Sequence, residues 1–198
     1  NFGKGNLASQ VEGNSSPELT NCLFFNNMAL SAGAVYNLGA ELGNANAMIT
    51  NCTFFGNHAI VGGAIYCNAG EGGTGVASPS IQNCILWANT AGEGRVFRII
   101  WGTPTNSNSL TDVADCAELY NGNGGSVNCG SGLIFNEDPL FVSPASANFH
   151  LGIGSPAIDF GDNPSIVQTG VGIDLDSLPR IHNNTVDMGV YEYGSTLG

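Results

Sequence analysis

The stretch Asn51–Gly70, NCTFFGNHAIVGGAIYCNAG, decides how the rest of the chain is read. Phe54, Phe55, Ile60, Ile65 and Tyr66 favour strands, yet Asn and Gly, which break regular structure, interrupt them every few positions. The same arrangement occurs on either side. LTNCLFFNNMALSAGAVYN begins at Leu19, ITNCTFFGNHAIVGGAIYC at Ile49 and IQNCILWANTAGEGRVFRI at Ile81, 30 and then 32 residues on. The three align without an internal gap. Leu19, Ile49 and Ile81 match, as do Cys22, Cys52 and Cys84, then Asn27, Asn57 and Asn89, and Val35, Ile65 and Phe97. A fainter copy, VADCAELYN, carries the series on to Cys116 and Asn121.

A period of this length suits several solenoids. Here apolar residues alternate with period two, which is strand and not helix. Short strands separated by Gly- and Asn-rich turns predict one coil of a right-handed parallel β-helix per repeat, with three strands and three turns. Coils stack at the ordinary strand spacing, ~4.8 Å, so equivalent side chains lie above one another. Asn27, Asn57, Asn89 and Asn121 are then expected to form an amide ladder along the axis. Glycines would supply positive φ at the corners.

Cys22, Cys52, Cys84 and Cys116 form a second expected column, of reduced and buried thiols, because stacked side chains point in parallel and a bridge demands convergent geometry. Cys116 also has a second reading. With Cys129 it flanks a Gly-rich loop, and these two are the favoured pair if any disulfide forms. Zinc is disfavoured by the lack of C-x-x-C and of paired histidines.

Composition agrees with an all-β, turn-rich fold. The chain has 198 residues, 29 of them Gly, and only 10% are charged, against about 25% in ordinary domains. The net charge of −12 disfavours nucleic acid and anionic lipid. No apolar run is long enough for membrane insertion as a helix. The expected organisation is a partial N-terminal coil over 1–18, coils over 19–132 and an irregular C-terminal cap over 133–198, packed on the last coil. The first coil looks uncapped, so other copies or flanking domains are expected to meet it there, as in a stalk or filament.

GGAIY after NCTFFGN resembles the β-helix repeats of bacterial surface proteins, including polymorphic outer-membrane adhesins. DPLF, SPAIDFGDN, DLDSLPRI and VDMGVYEYG resemble the choice-of-anchor Q domain more closely, except that Ser177 stands where that family usually has Gly. The resemblance implies an exported protein held at the bacterial cell surface.

Candidate chemistry is sparse. Acids within the coils form no stripe, Arg95 and Arg98 sit three apart on one strand and point to opposite faces, suited either to a base or to surface and strand-end roles, and His58, His150 and His182 stand alone. Catalysis needs a constellation, and none is visible. Tyr36, Tyr66 and Arg98 fall in one outward column, suited either to gripping a glycan or peptide or to stiffening the sheet by mutual stacking. Asp159, Asp162, Asp174, Asp176 and Asp187 lie in Gly-rich turns, suited either to Ca²⁺ or to capping their own turns. Sequons stand at Asn14, Asn51 and Asn183. The expected function is a non-catalytic extracellular surface module, structural or adhesive. A carbohydrate-binding or polysaccharide-lyase-like β-helix is the alternative.

Overall fold

The computed structural model describes residues 2–4 and 13–196. Half of the expected coil over 1–18, and with it the contact surface expected at its open end, therefore lies outside the described residues. The chain winds as a parallel β-solenoid with an irregular C-terminal region. Four stacked sheets form its walls, not three. The first face holds Glu18–Thr20, Met48–Thr50, Ser80–Gln82, Thr105–Ser107 and Asn128–Cys129. The second holds Leu23–Phe25, Thr53–Phe55, Ile85–Trp87, Leu110–Thr111 and Ile134–Phe135. The third holds Met28–Ser31, His58–Val61 and Thr90–Glu93. The fourth holds Phe2–Lys4, Val35–Ala40, Ile65–Asn68, Phe97–Ile100 and Tyr120–Asn123. The additional strand arises because Phe24–Phe25 and Ala29 belong to separate short strands, divided by a turn at Asn26 and Asn27.

Every pairing between coils is parallel. Leu19 pairs with Ile49 and Ile49 with Ile81. Val35 pairs with Ile65, which pairs with Phe97. Inward residues are fully buried, among them Ile49, Phe54, Ile65, Ile81, Leu86 and Phe97. Phe24 and Phe54 stack with centroids 4.8 Å apart and planes 10° from parallel, as in-register neighbours on one column should.

Glycine supplies positive φ at the turns flanking the third face, with Gly56 at 64°, Gly62 at 74° and Gly94 at 66°, and asparagine does so at another corner. Between the first and second faces the chain turns through Asn21, Asn51, Asn83 and Asn108, with φ of 53°, 52°, 52° and 43°. Asparagine tolerates this left-handed region because its short amide bonds locally. It also brings a side chain to the corner, which glycine cannot.

The fourth repeat is not VADCAELYN. Ser80–Gln82 pairs with Thr105–Ser107, and Ile85 pairs with Leu110. The true copy is therefore NSNSLT, Asn106–Thr111, only 25 residues after Ile81–Leu86. Ser109 occupies the position of Cys84, whose backbone N–H donates to Ser109 Oγ at 3.1 Å. Cys116 leaves the thiol column and is disulfide-bonded to Cys129, whereas Cys22, Cys52, Cys67 and Cys84 are free. Asn121 leaves the amide ladder. It pairs with Arg98 on the fourth face, below Tyr66 and Tyr36.

The irregular C-terminal region lies along the side of the solenoid. A hairpin of Phe141–Ser143 and Asn148–Leu151 sets Phe149 against Phe25 and Phe55, with centroids 5.4 and 5.0 Å away. Met188, Ala157 and Leu151 bury Ile85, Leu110 and Ile134 from outside. The second face is thus apolar on both sides, which explains why TFF and ILW do not alternate. The corner asparagines tie the tail down. Asn83 Oδ1 accepts from Asp162 N at 2.8 Å, and its Nδ2 donates to Ser165 Oγ at 2.7 Å. Asn51 Nδ2 donates to Asp187 O at 3.2 Å, and Asn21 Nδ2 to Ile173 O. Gly189, at φ 89°, allows close approach: a Cβ there would stand 2.9 Å from Ile85 Cδ1 and from Thr53 Oγ1.

Candidate functional site

The residues singled out by sequence divide into several separate arrangements. Asn27, Asn57 and Asn89 form a continuous amide ladder. Asn27 Nδ2 donates to Asn57 Oδ1 at 2.8 Å, and Asn57 Nδ2 donates to Asn89 Oδ1 at 2.9 Å. The same amides tie neighbouring coils through Phe24 O and Phe54 O. The ladder is a structural element, because its second and third members are buried. The thiol column is equally internal. Backbone N–H groups of Cys22 and Cys52 point at the sulfurs of Cys52 and Cys84, at 3.4 and 3.5 Å. Burial pushes the Cys52 thiol well up, and burial pushes the Cys67 thiol to about 12. Neither is poised as a nucleophile.

Tyr36, Tyr66 and Arg98 do share a column. The tyrosine rings lie 4.7 Å apart and 13° from parallel. One face of each ring is covered by the other, and Arg98 follows Tyr66 in register. Arg98 Nη2 pairs with Glu93 at 3.0 Å, and Nη1 donates to Asn121 at 2.8 Å. The guanidinium is thus engaged within the sheet. Arg95 is likewise engaged, by Asp112 at 3.1 Å. Burial pushes the Asp112 carboxyl up, and Arg95 opposes that shift.

The five tail aspartates do not converge. Among the described residues no group of three or more His, Cys, Asp or Glu is placed to hold a metal ion. Their oxygens accept from protein donors instead. Asp187 accepts from the backbone of Asp159 and Tyr193 at 2.7 and 2.6 Å. Asp174 accepts from Asp176, Leu178 and Glu192. Asp162 accepts from Gln82. Asp159 lies at a left-handed turn, φ 54°. Arg180, fully buried, sits beside this set and donates to the carbonyls of Asp187 and Gly189. Burial pushes Glu192 up to about 8 despite the backbone donors of Asp187 and His182 and the nearby guanidinium. This buried network locks the turns of the tail.

Asp176 behaves differently. It meets His150 Nε2 at 2.7 Å, His150 Nδ1 lies 2.7 Å from Asn148 Oδ1, and the imidazole stacks on Tyr191 at 3.9 Å. His150 is therefore not isolated, contrary to expectation. No hydroxyl or thiol nucleophile is hydrogen-bonded to this pair among the described residues. His58 bonds Thr90 at 2.9 Å on the third face. The Asn51 sequon is buried in the corner and closed to glycosylation in the folded chain.

One opening lies where no candidate site residue was singled out from the sequence. A groove of about 500 Å³ runs between the second face and the tail hairpin. Phe55, Trp87, Asp138, Leu140, Phe141, Pro144, Gly152 and Ile153 line it. Its origin is the outward aromatic row Phe25, Phe55 and Trp87, in register on successive coils. Phe149 packs on the first two; Trp87 extends past it to form groove wall. A signal was present in the third copy, where Trp87 stands at the position of Phe25 and Phe55. The partner wall comes from residues more than fifty positions later, which no local pattern announces.

No family model matches the chain, and neither does any curated protein or solved structure.

Proposed function

We propose that this protein is a non-catalytic extracellular surface module whose role is structural and adhesive. The observation that carries the reading is the groove between the second face and the tail hairpin. Its walls are mainly aromatic and aliphatic, with Asp138 as the one carboxylate among the described residues that line it. Such walls bind by burial, and one carboxylate falls short of the pair that glycoside hydrolysis uses. The Cys116–Cys129 disulfide fits an oxidising compartment. The tail motifs that resemble the choice-of-anchor Q domain, DPLF and VDMGVYEYG, supply two walls of the assembly: Phe141 enters the groove, and Gly189 seats the tail on the coils.

Purified protein coated on beads is expected to adhere to protein-coated surfaces and to leave polyuronates uncut, measured by ultraviolet absorbance of unsaturated product. Release of such product, with loss on Arg95→Ala or Arg98→Ala, would replace this reading with the lyase alternative. Saturable binding on a glycan array, lost on Tyr66→Ala, would replace it with the carbohydrate-binding one.

A further inference from the structure

We infer that the groove takes a peptide segment of a partner protein, one presenting an aliphatic side chain next to a lysine or arginine. This deepens the adhesive reading and rests on it. The walls argue for the aliphatic part. Trp87 and Phe55 form one side, Leu140, Phe141, Pro144 and Ile153 the other. Ile153 is 86% exposed and Leu140 42% exposed, so the rim leaves apolar area for a partner to cover.

Charge argues for the basic part. Among the described residues Asp138 is the sole charged one lining the groove. Its Oδ1 accepts from Leu140 N at 2.8 Å, which fixes the carboxylate at the rim, and its Oδ2 has no hydrogen-bond partner among the described residues. No Lys, Arg or His among the described residues lines the opening. The whole chain carries −12, so its field attracts cationic segments and repels acidic ones. A glycan would want several converging donors and acceptors for its hydroxyls, and these walls offer one carboxylate. An aliphatic side chain on Trp87 and Ile153 with a cation reaching Asp138 satisfies both kinds of surface.

The test uses the full chain carrying Trp101→Phe, so that Trp87 is its only indole. The probes are acetyl-Leu-Lys-Leu-amide, acetyl-Leu-Glu-Leu-amide and methyl glucoside, titrated against Trp87 fluorescence and two-dimensional amide NMR. The expected result is saturable binding of the lysine peptide with shifts at Trp87, Leu140 and Ile153. Affinity should fall about tenfold, ~1.4 kcal/mol, with Asp138→Asn, which retains an acceptor for Leu140 N. It should also fall with Ile153→Ser, an exposed change that leaves packing intact. Equal binding of the glutamate peptide, preference for the glucoside, or no shift at the groove would each overturn the inference. Bead adhesion that survives Asp138→Asn and Ile153→Ser would overturn it while leaving the surface-module reading in place. Absence of adhesion by the unaltered protein would instead remove that broader reading.

Discussion

Asn57 makes four hydrogen bonds through one side chain. Oδ1 accepts from Asn27 N and Nδ2 at 3.2 and 2.8 Å, and Nδ2 donates to Phe24 O and Asn89 Oδ1, both at 2.9 Å. Its residue is fully buried, so each bond is exchanged for no water. Asn57→Ala leaves donors on one coil and an acceptor on the next without partners. The expected cost is about 3 kcal/mol. Asn57→Asp keeps the volume but sets a carboxylate against Asn89 Oδ1, and should cost at least as much. Chemical denaturation of the two variants checks both.

Asn106 occupies the column of Ile49 and Ile81 and is fully buried, yet neither amide atom has a partner. An aliphatic residue there would continue the column and remove two unpaired polar atoms. Asn106→Leu is expected to stabilise the fold by about 1 kcal/mol. A higher midpoint in urea, with an unchanged slope, is the supporting result; a lower midpoint would show that the amide is satisfied in solution.

Corner asparagines hold the tail to the coils, Asn83 most firmly. Asn83→Gly keeps the left-handed turn, φ 52°, and removes the bonds to Asp162 and Ser165. Backbone amides of residues 157–190 should then exchange with solvent faster, while those of Ile49, Ile65 and Ile81 stay protected. Hydrogen exchange resolves the two regions. Uniform acceleration would mean that tail and coils open as one unit.

The disulfide joins Cys116 and Cys129 across 13 residues. On the chain-entropy account, a loop of this size contributes about 3 kcal/mol. The double variant Cys116→Ser, Cys129→Ser should unfold at a correspondingly lower denaturant concentration. In native protein, Cys52, Cys67 and Cys84 should resist a thiol reagent that labels them all after unfolding, since they are buried.

Acidity should favour the native state. Burial raises the Asp112 and Asp187 carboxyls from their ordinary value and pushes Glu192 up to about 8. A carboxyl with a raised folded pKa binds its proton more tightly in the native state, so stability falls as pH rises from the unfolded value toward the folded one. For Glu192 that window runs from about 4.5 to about 8. The melting temperature is expected to be higher at pH 5 than at pH 8, and Glu192→Gln should flatten the slope. A midpoint that climbs with pH would show that the Arg180 guanidinium and the backbone donors outweigh burial.

The stacking of coils was legible in the chain itself. An aligned repeat with period-two apolar residues leaves one way to bury its face, and the matched columns Leu19–Ile49–Ile81 and Asn27–Asn57–Asn89 follow from it. The fourth copy differs because Cys116 repeats the preceding interval of 32 residues, whereas the coil itself shortens to 25. Ser109, with a different side chain but the same backbone bond to Cys84, repeats the contact.

What the sequence alone determined was the inward half of each strand, because identical neighbours along one axis solve the same packing problem coil after coil. The outward half was decided only in three dimensions. Whether Phe55 is surface, core or groove depends on Phe149, and whether Asp187 meets a cation or a backbone amide depends on where Arg180 and Tyr193 are brought. Those partners are remote in the chain and unrepeated. Only the tail's placement along the second face, set by Asn51, Asn83 and Gly189 together, brings them to their partners.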